Sequence, residues 1–406
     1  MAATDQRNIR GMLALATTGL LGQAAAQDFA NDWTVNLAYL NYFEPDRVNV
    51  QSFYGKASGQ ISDDAHISVG VVLDTMTGAT PSGAVEGSNV VANTGTSGGG
   101  FEVDGTSSSL ADFDDTRLAV DLDWEHTYGR FVRVNYGAYA SVEGDFAALG
   151  ASVKGNVDLN NRNTTLALGL GAEGDQSSQR DGRTPEPMSN VTDQSFYGEG
   201  RRNTYDVLLG VTQVLGRRTI AQVNLTYTHS LGYHNDPYKV FSRADEDDVE
   251  AERYYENRPD ERIRGALYTS LRHQLTDGDI IGGSLRYYQD DWGVEAVTGE
   301  LSYRLHIAGR GSYVEPFGRA HYQTEADFYL RTLGMDEELP EYASADARLG
   351  ELQAYTGGLK FSQPVLDWGT LQIRGSYYYQ RFEDANYDDN QAFIAQLGFE
   401  FGSRYR

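Results

Sequence analysis

Apolar and polar residues alternate with a period of two along most of this 406-residue chain. Because successive side chains of a β-strand point to opposite faces, this pattern predicts strands with one apolar and one polar face. The clearest segment is 116–125, in which one face is apolar and the other is charged. The apolar face consists of Leu118, Val120, Leu122 and Trp124, and the charged face of Arg117, Asp121, Asp123 and Glu125.

The same pattern recurs in segments of about 10–14 residues, which is longer than the usual strand of a soluble β-sandwich. A soluble β-sandwich or β-helix with an export signal is the alternative. Reading the whole chain in this way predicts roughly sixteen strands. They cover residues 32–42, 47–61, 66–77, 115–126, 131–142, 146–158, 164–172, 202–215, 219–231, 262–273, 279–289, 294–306, 313–322, 350–362, 369–382 and 391–401.

The connections between these segments differ in length. Short turns rich in Gly, Asn and Asp alternate with connections of variable length, and the long ones lie near 78–114, 173–201, 232–261 and 323–349. A sheet in hydrocarbon must close on itself, because lipid offers no partner for backbone N–H and C=O groups. We therefore expect an all-β fold, a closed antiparallel transmembrane β-barrel of about sixteen strands with short periplasmic turns and long extracellular loops.

The N-terminus resembles an export signal. Arg7 and Arg10 precede an apolar run over 12–21, and small residues at 24–26 provide a cleavage site. The apolar run is too short to span a membrane as a helix, which argues against an anchor. We expect a cleavable signal peptide at 1–26, a single barrel domain at 27–406, and localisation in the bacterial outer membrane.

Composition excludes several classes of function. The net charge of −25 disfavours nucleic-acid binding, the mean hydropathy of −0.50 disfavours a bundle of membrane helices, and the absence of cysteine excludes disulfides and thiolate metal sites. We expect no enzymatic activity, cofactor or metal. The expected partners are outer-membrane lipid and lipopolysaccharide, the barrel assembly machinery and, in one alternative, periplasmic redox proteins or lipoproteins.

No catalytic motif is recognisable, but outer-membrane barrels can carry an Asp/His or Ser/His/Asn group at the outer rim. His234 and Asp236 lie in a predicted outer loop and are the best placed candidates for such a group. A solvated histidine in a turn is the commoner explanation. An outer-membrane hydrolase is therefore a minor alternative.

Charged residues on the polar faces of the predicted strands are candidates for the lining of a pore. Opposed basic and acidic walls would create a transverse field that orients polar solutes. The alternative is that these side chains pair with one another and fill the interior. The candidates are Arg264, Arg272, Arg286, Arg304, Arg319 and Arg374 on the basic wall, and Asp121, Asp123 and Glu125 on the acidic wall.

Four motifs resemble domain-of-unknown-function family 3570, and the likeness covers most of the chain. They are Asn235–Val240 (NDPYKV), Tyr255–Arg262 (YENRPDER), Tyr287–Gly293 (YYQDDWG) and Asp346–Leu349 (DARL). The resemblance implies an exported outer-membrane protein of Gram-negative bacteria. It also implies an envelope redox context, since some relatives are encoded beside a small lipoprotein, a thioredoxin-like protein and a flavin transferase. It assigns no activity and no functional residues.

The positions of these motifs support a structural hypothesis. The first motif lies where a strand ends and an outer loop begins, the second where that loop returns, and the third contains a tight turn. We expect these three segments to pack together at the extracellular mouth, with Arg258 and Arg262 pairing with Asp290 and Asp291 as a loop clamp. The leading function is a porin-like channel for small polar solutes or ions. The alternative is a plugged barrel that serves as an outer-membrane scaffold or docking partner for periplasmic redox or flavin proteins.

Overall fold

The computed structural model describes residues 33–45, 47–82, 84, 93–94, 100–101, 110–179, 182–245, 250–307, 311–365, 369–387 and 389–402. The predicted signal peptide at 1–26 lies outside these residues. The regular secondary structure of the described residues is β-strand, apart from one 3-10 turn at Val191–Asp193. Within it, no helix has the length and apolar character needed to cross a membrane.

Sixteen strands form one closed antiparallel sheet, numbered here β1 to β16 in chain order. They are β1 Trp33–Phe43, β2 Val48–Ser62, β3 Ala65–Pro81, β4 Leu110–Tyr128, β5 Val132–Val142, β6 Phe146–Leu159, β7 Thr164–Ser177, β8 Gly200–Gly216, β9 Thr219–Gly232, β10 Glu261–Gln274, β11 Ile280–Asp290, β12 Glu295–His306, β13 Tyr313–Gln323, β14 Leu352–Val365, β15 Gly369–Phe382 and β16 Asp389–Gly402.

The sheet closes by pairing of its first and last strands. The β1 to β16 register runs from Thr34 opposite Gly402 to Phe43 opposite Phe393. Closure removes the two sheet edges that would otherwise expose unpaired backbone groups to lipid. The predicted fold class is confirmed, and each strand lies within a few residues of the predicted segment.

The two faces of the sheet differ as the alternation predicts. Outward side chains include Leu149 and Leu301, which are 70% and 69% exposed, whereas the inward Ala119 of β4 is 3% exposed. Such an apolar outer belt is stable only in a hydrocarbon surrounding. The barrel wall thus has a lipid face and a polar interior.

The two rims of the barrel also differ. One rim carries short turns, as at Asn160, Asn161 and Arg162, whose positive φ values of 49, 54 and 65° permit the tight reversal. The other rim carries four long connections, between β3 and β4, β7 and β8, β9 and β10, and β13 and β14. By the usual arrangement of outer-membrane barrels, the short turns are periplasmic and the long loops extracellular.

The described parts of three extracellular loops fold together into what we term the cap, residues 182–199, 233–245, 250–260 and 324–351. Val240–Ala244 pairs antiparallel with Glu250–Tyr255 and parallel with Thr332–Gly334. Phe241 and Ala343 are completely buried in an apolar cluster between these segments. Burial of one such aromatic side chain contributes roughly 2–3 kcal/mol, so the cap has a hydrophobic core of its own.

Candidate functional site

The cap extends across the extracellular mouth. Its 233–245 segment leaves β9, yet the Val240 N–H donates to the Ser82 carbonyl 3.0 Å away, just beyond β3. The Tyr238 hydroxyl donates to Asp145 Oδ2 in the β5–β6 turn at 2.7 Å. Because β3 is six positions from β9 in the sixteen-stranded sheet, this loop spans a large part of the opening.

A buried ionic cluster lies inside the cap and joins its loops. Arg258 Nη2 is 2.9 Å from Asp346 Oδ2 and 2.9 Å from Glu256 Oε2. Arg348 Nη2 is 2.9 Å from Asp236 Oδ2 and also contacts Asp346. Together with Lys239, which is 5% exposed, these groups balance three cations against three carboxylates. Every charge of the cluster has an opposite charge beside it, as burial requires.

The electrostatics of the cluster follow from burial and pairing. Burial alone would raise the pKa of Asp346, but Arg348, Lys239 and Arg258 hold that pKa well below its usual range. The pKa of Asp236 is likewise lowered, since Arg348 and Lys239 outweigh its burial. Burial dominates at Glu256 and raises its pKa despite Arg258. The two aspartates are therefore strongly held in the charged form.

Of the two arginines predicted to form the clamp, Arg262 pairs with a predicted aspartate. Arg262 Nε donates to Asp290 Oδ2 at 2.9 Å, and its guanidinium lies 4.1 Å from the centre of the Trp292 ring. Asp290 Oδ1 also accepts hydrogen bonds from the Trp292 and Val294 backbone N–H groups. This carboxylate thus fixes both the β10 arginine and the β11–β12 turn.

Arg258 and Asp291 do not take part in the predicted clamp. Arg258 lies before β10 begins, so its side chain enters the cap core and pairs with Glu256 and Asp346. Asp291 follows Asp290 in the chain and faces away from the interior, where its Oδ1 accepts the Ile263 N–H at 2.8 Å. Strand alternation sends adjacent aspartates to opposite sides, which is why only one of them meets an arginine.

The residues predicted to line a pore all lie on the inward faces of their strands. In register, Arg319 of β13 faces Glu300, Arg374 of β15 faces Lys360, and Asp121 of β4 faces Tyr139. Residues on the same face of a strand differ by an even number of positions, as Arg264 and Arg272 of β10 do. The full inward set from the prediction is Arg264, Arg272, Arg286, Arg304, Arg319, Arg374, Asp121, Asp123 and Glu125.

Many interior charges are paired or lie on aromatic rings. Lys56 Nζ is 3.9 Å from Asp121 and 3.6 Å from Asp123, and Arg304 Nε is 2.8 Å from Glu315. The guanidinium carbon of Arg374 lies 4.1 Å from the Phe317 ring centre. The interior therefore contains both kinds of charged side chain that the sequence analysis considered: those that line the lumen and those that pair with one another.

The two hydrolase candidates do not form a catalytic pair. His234 Nε2 is 2.9 Å from the Ser230 hydroxyl, and its Nδ1 donates to the Gly232 carbonyl at 2.7 Å. Asp236 pairs with Arg348 instead of orienting the imidazole. Burial, together with Arg202, lowers the pKa of His234 to about 3, so it is a weak base, and Ser230 is only 1% exposed.

Three carboxylates at the extracellular rim lie close together. Oxygens of Asp115, Glu143 and Asp145 are within 4.8 Å of one another, which is a spacing that a hard cation accepts. Burial and the neighbouring Asp115 and Asp236 raise the pKa of Asp145 to about 7, although the hydrogen bond from Tyr238 opposes that rise. Asp145 therefore changes charge near neutral pH beneath the cap.

Residues 10–401 match the profile of a family described as protein of unknown function, DUF3570. The chain belongs to the DUF3570 family. The match runs through all four motifs, and these are the segments that build the ionic cluster and the clamp. No curated protein sequence matches the chain.

Solved structures share the barrel architecture with this DUF3570 chain at low sequence identity. A bacterial polysaccharide outer-membrane secretin aligns over 93% of this chain and 100% of its own, with 10% identity and a TM-score of 0.48. A mutant ferric enterobactin receptor from Pseudomonas aeruginosa aligns over 87% of this chain and 55% of its own, with 10% identity and a TM-score of 0.46. BamA from Haemophilus ducreyi lacking POTRA domains 1–3 aligns over 92% of this chain and 71% of its own, with 11% identity and a TM-score of 0.46. The chain spans about half the length of the receptor.

The closed sixteen-stranded sheet with its apolar outer face places the DUF3570 chain in the bacterial outer membrane as a β-barrel. Sequence reasoning missed most of the ionic cluster, including Glu256, Lys239 and the pairing of Asp346 with Arg258. The available signal was the concentration of opposite charges within the loop motifs. It also missed Lys360, although this residue lies on the polar face of a predicted strand.

Proposed function

We propose that this barrel is a channel for small polar or charged solutes and that the cap controls its extracellular opening. The observation that carries the proposal is the set of interior cations without a carboxylate partner. Among the described residues, Arg272, Arg319, Lys360 and Arg374 have no carboxylate oxygen within 4.0 Å. An unpaired charge in a dry interior costs several kcal/mol, so these side chains favour a hydrated lumen. Sixteen strands also give a barrel wide enough for an aqueous path.

The cap supplies the means of control. Its hydrophobic core and buried ionic cluster hold three loops over the mouth. Its contacts with the barrel rim are partly polar, such as Tyr238 to Asp145, and partly apolar, such as Trp292 with Ala326 and Leu349. A cap with a hydrophobic core of its own can exchange its rim contacts and change position without unfolding. We propose that the closed arrangement described here exchanges with one in which solutes enter.

We further propose a non-enzymatic role. His234 is nearly enclosed, its hydroxyl partner Ser230 is buried, and Asp236 is engaged by Arg348. A general base must reach the proton that it removes from a substrate, and this histidine is only 9% exposed.

Planar-bilayer recording tests the channel proposal. The mature chain is purified in detergent, its folding is checked by heat-modifiable electrophoretic mobility, and its conductance is compared with that of Arg258→Ala, which breaks the ionic cluster. Arg201→Ala is the matched control, because the Arg201 side chain is 73% exposed and its one ion pair among the described residues is with the neighbouring Glu199. We expect higher conductance or more frequent opening in Arg258→Ala alone. Folded protein without conductance in all three would contradict the channel.

The second candidate is a permanently closed barrel that docks periplasmic redox or flavin proteins or a lipoprotein. The reach of the cap from β9 to Ser82 favours it, since a covered mouth suits a scaffold. A barrel that stays silent in the Arg258→Ala variant and yields a defined cross-link to such a partner from its periplasmic turns would support docking over conduction.

A further inference from the structure

The inward faces of β10 to β15, below the Arg262–Asp290 pair, carry an excess of positive charge. Seven cations stand against two carboxylates, Glu300 and Glu315. We refer to these cations as the cationic strip. They are Arg264, Arg272, Arg286, Arg304, Arg319, Lys360 and Arg374.

The strip extends along most of the barrel. Arg286 lies four residues from the extracellular end of β11, whereas Arg272 lies two residues from the periplasmic end of β10. Arg319 and Arg374 occupy intermediate positions on β13 and β15. At about 3.3 Å per residue, this arrangement distributes positive charge over much of the depth of the wall.

Most of the strip is not neutralised by pairing. Arg304 has Glu315 at 2.8 Å, but in the described chain Arg272, Arg319, Lys360 and Arg374 have no carboxylate oxygen within 4.0 Å. Arg374 lies on the face of Phe317, and the Lys360 ammonium is 5.8 Å from the Tyr313 ring centre. An aromatic face holds a cation in place without cancelling its charge.

The facing sector, mainly β2 to β8, is different because most of its carboxylates already have cations. Arg133 is 3.3 Å from Asp158, and Arg202 is 2.9 Å from Asp175. Lys56 lies between Asp121 and Asp123, and Arg117 contacts Asp74. Glu125 and Asp206 stand outside these pairs. Among the described residues of this sector, nine inward carboxylates stand against five cations, so its excess of negative charge is slightly smaller than the excess of positive charge in the cationic strip.

We propose that the cationic strip is the transit path of the channel and that its solutes are small anions bearing carboxylate or phosphate groups. This inference rests on the proposed channel function and names its substrate class. A guanidinium presents a planar fork that matches the oxygens of both groups. Several such sites in series bind an anion at each level while letting it pass to the next, which is the requirement for conduction.

Ion selectivity tests the inference. The reversal potential is measured across a planar bilayer with a tenfold gradient of potassium chloride, potassium acetate or potassium phosphate, using wild type or, if it is silent, the Arg258→Ala background. We expect anions to permeate better than potassium in all three salts. The variant carrying both Arg319→Gln and Arg374→Gln is expected to lower the anion-to-cation permeability ratio about threefold, because two charges leave the path.

The controls separate this inference from the proposal on which it rests. Arg201→Gln removes one exposed charge on the outer surface and is expected to leave the ratio unchanged. Two results would contradict the anion path but not the channel. One is a conducting barrel that prefers potassium, and the other is an unchanged permeability ratio in the variant with both Arg319→Gln and Arg374→Gln. A folded barrel without conductance in either background overturns the channel itself and the anion path with it.

Discussion

Arg258 and Asp346 form a buried ion pair between two different extracellular loops, with Nη2 2.9 Å from Oδ2 and the two residues 88 positions apart in the chain. The arginine side chain is 10% exposed and the aspartate side chain 2%. Pairs of this kind add little net stability when complete, but they are costly to break. This contact therefore makes the position of one loop depend on that of the other.

Removing one partner of this pair is expected to release the cap. In Arg258→Ala, Asp346 and Glu256 lose their shared cation inside a buried cluster, which costs about 3–5 kcal/mol in cap stability. Limited proteolysis of the folded barrel measures the effect, and we expect cleavage within 233–260 and 324–351 to accelerate. Arg201→Ala serves as the control. Unchanged loop cleavage in Arg258→Ala would contradict the role of the pair.

Acid is also expected to loosen the cap. The folded pKa of Asp346 and that of Asp236 lie below the ordinary value of 3.8, so their contribution is complete above that value and is lost as pH falls through the folded values. The pKa of Glu256 is raised, so its protonation stabilises the cap, but this is one group against the two aspartates. Amide hydrogen exchange in the cap between pH 5 and pH 2, corrected for intrinsic rates, should show protection that decreases below about pH 4. Constant protection would exclude this linkage.

A second pH dependence is expected at the β5–β6 turn. Burial raises the pKa of Asp145 to about 7, so the stabilising contribution of this carboxyl is complete below 3.8 and is lost as pH rises through about 7. The turn should therefore loosen from its burial beside Asp115 and Asp236 between pH 6 and pH 8, although the hydrogen bond from Tyr238 favours the ionised carboxylate. Hydrogen exchange at 143–147 and 236–240 measures it, and Asp145→Asn should abolish the pH dependence. A dependence that persists in Asp145→Asn would assign it to another group.

The clamp makes a spectroscopic prediction. Trp292 is 3% exposed and its ring lies against the Arg262 guanidinium, a contact worth about 0.5–2 kcal/mol. Arg262→Ala should expose the indole and leave Asp290 without its cation, so the tryptophan emission should shift to longer wavelength. Arg286→Ala, also on an inward face, provides a comparison. An identical emission spectrum in Arg262→Ala would contradict the packing of this turn.

The barrel was predictable because lipid imposes a strict rule on the sequence. Residues 116–125 alternate without a long break, since an outward charge would meet hydrocarbon and an inward leucine would meet water. The Arg262–Asp290 pair was predictable for a related reason. Both residues lie at adjacent strand ends on the inward face, where the β10–β11 register places Arg264 opposite Asp290 and Arg262 two residues further along β10.

The cap was not predictable in the same way. Arg258 lies three residues before β10 begins, where alternation no longer fixes the direction of a side chain. The partner of Arg258 is in a loop that has no periodic pattern, so a single sequence offers no signal for their distance. Pairing of Asp236 with Arg348 across 112 residues depends on how two loops fold over each other.

Locking and unlocking the cap is the most direct test of the account. Asn257 and Ala343 form an antiparallel bridge between the two loops, with backbone N···O distances of 3.0 and 2.9 Å, and this geometry suits a disulfide. The natural chain has no cysteine, so Asn257→Cys with Ala343→Cys would form the sole disulfide. In the Arg258→Ala background, we predict that conductance is low when this pair is oxidised and rises when it is reduced. Equal conductance in both states would contradict control of the channel by the cap.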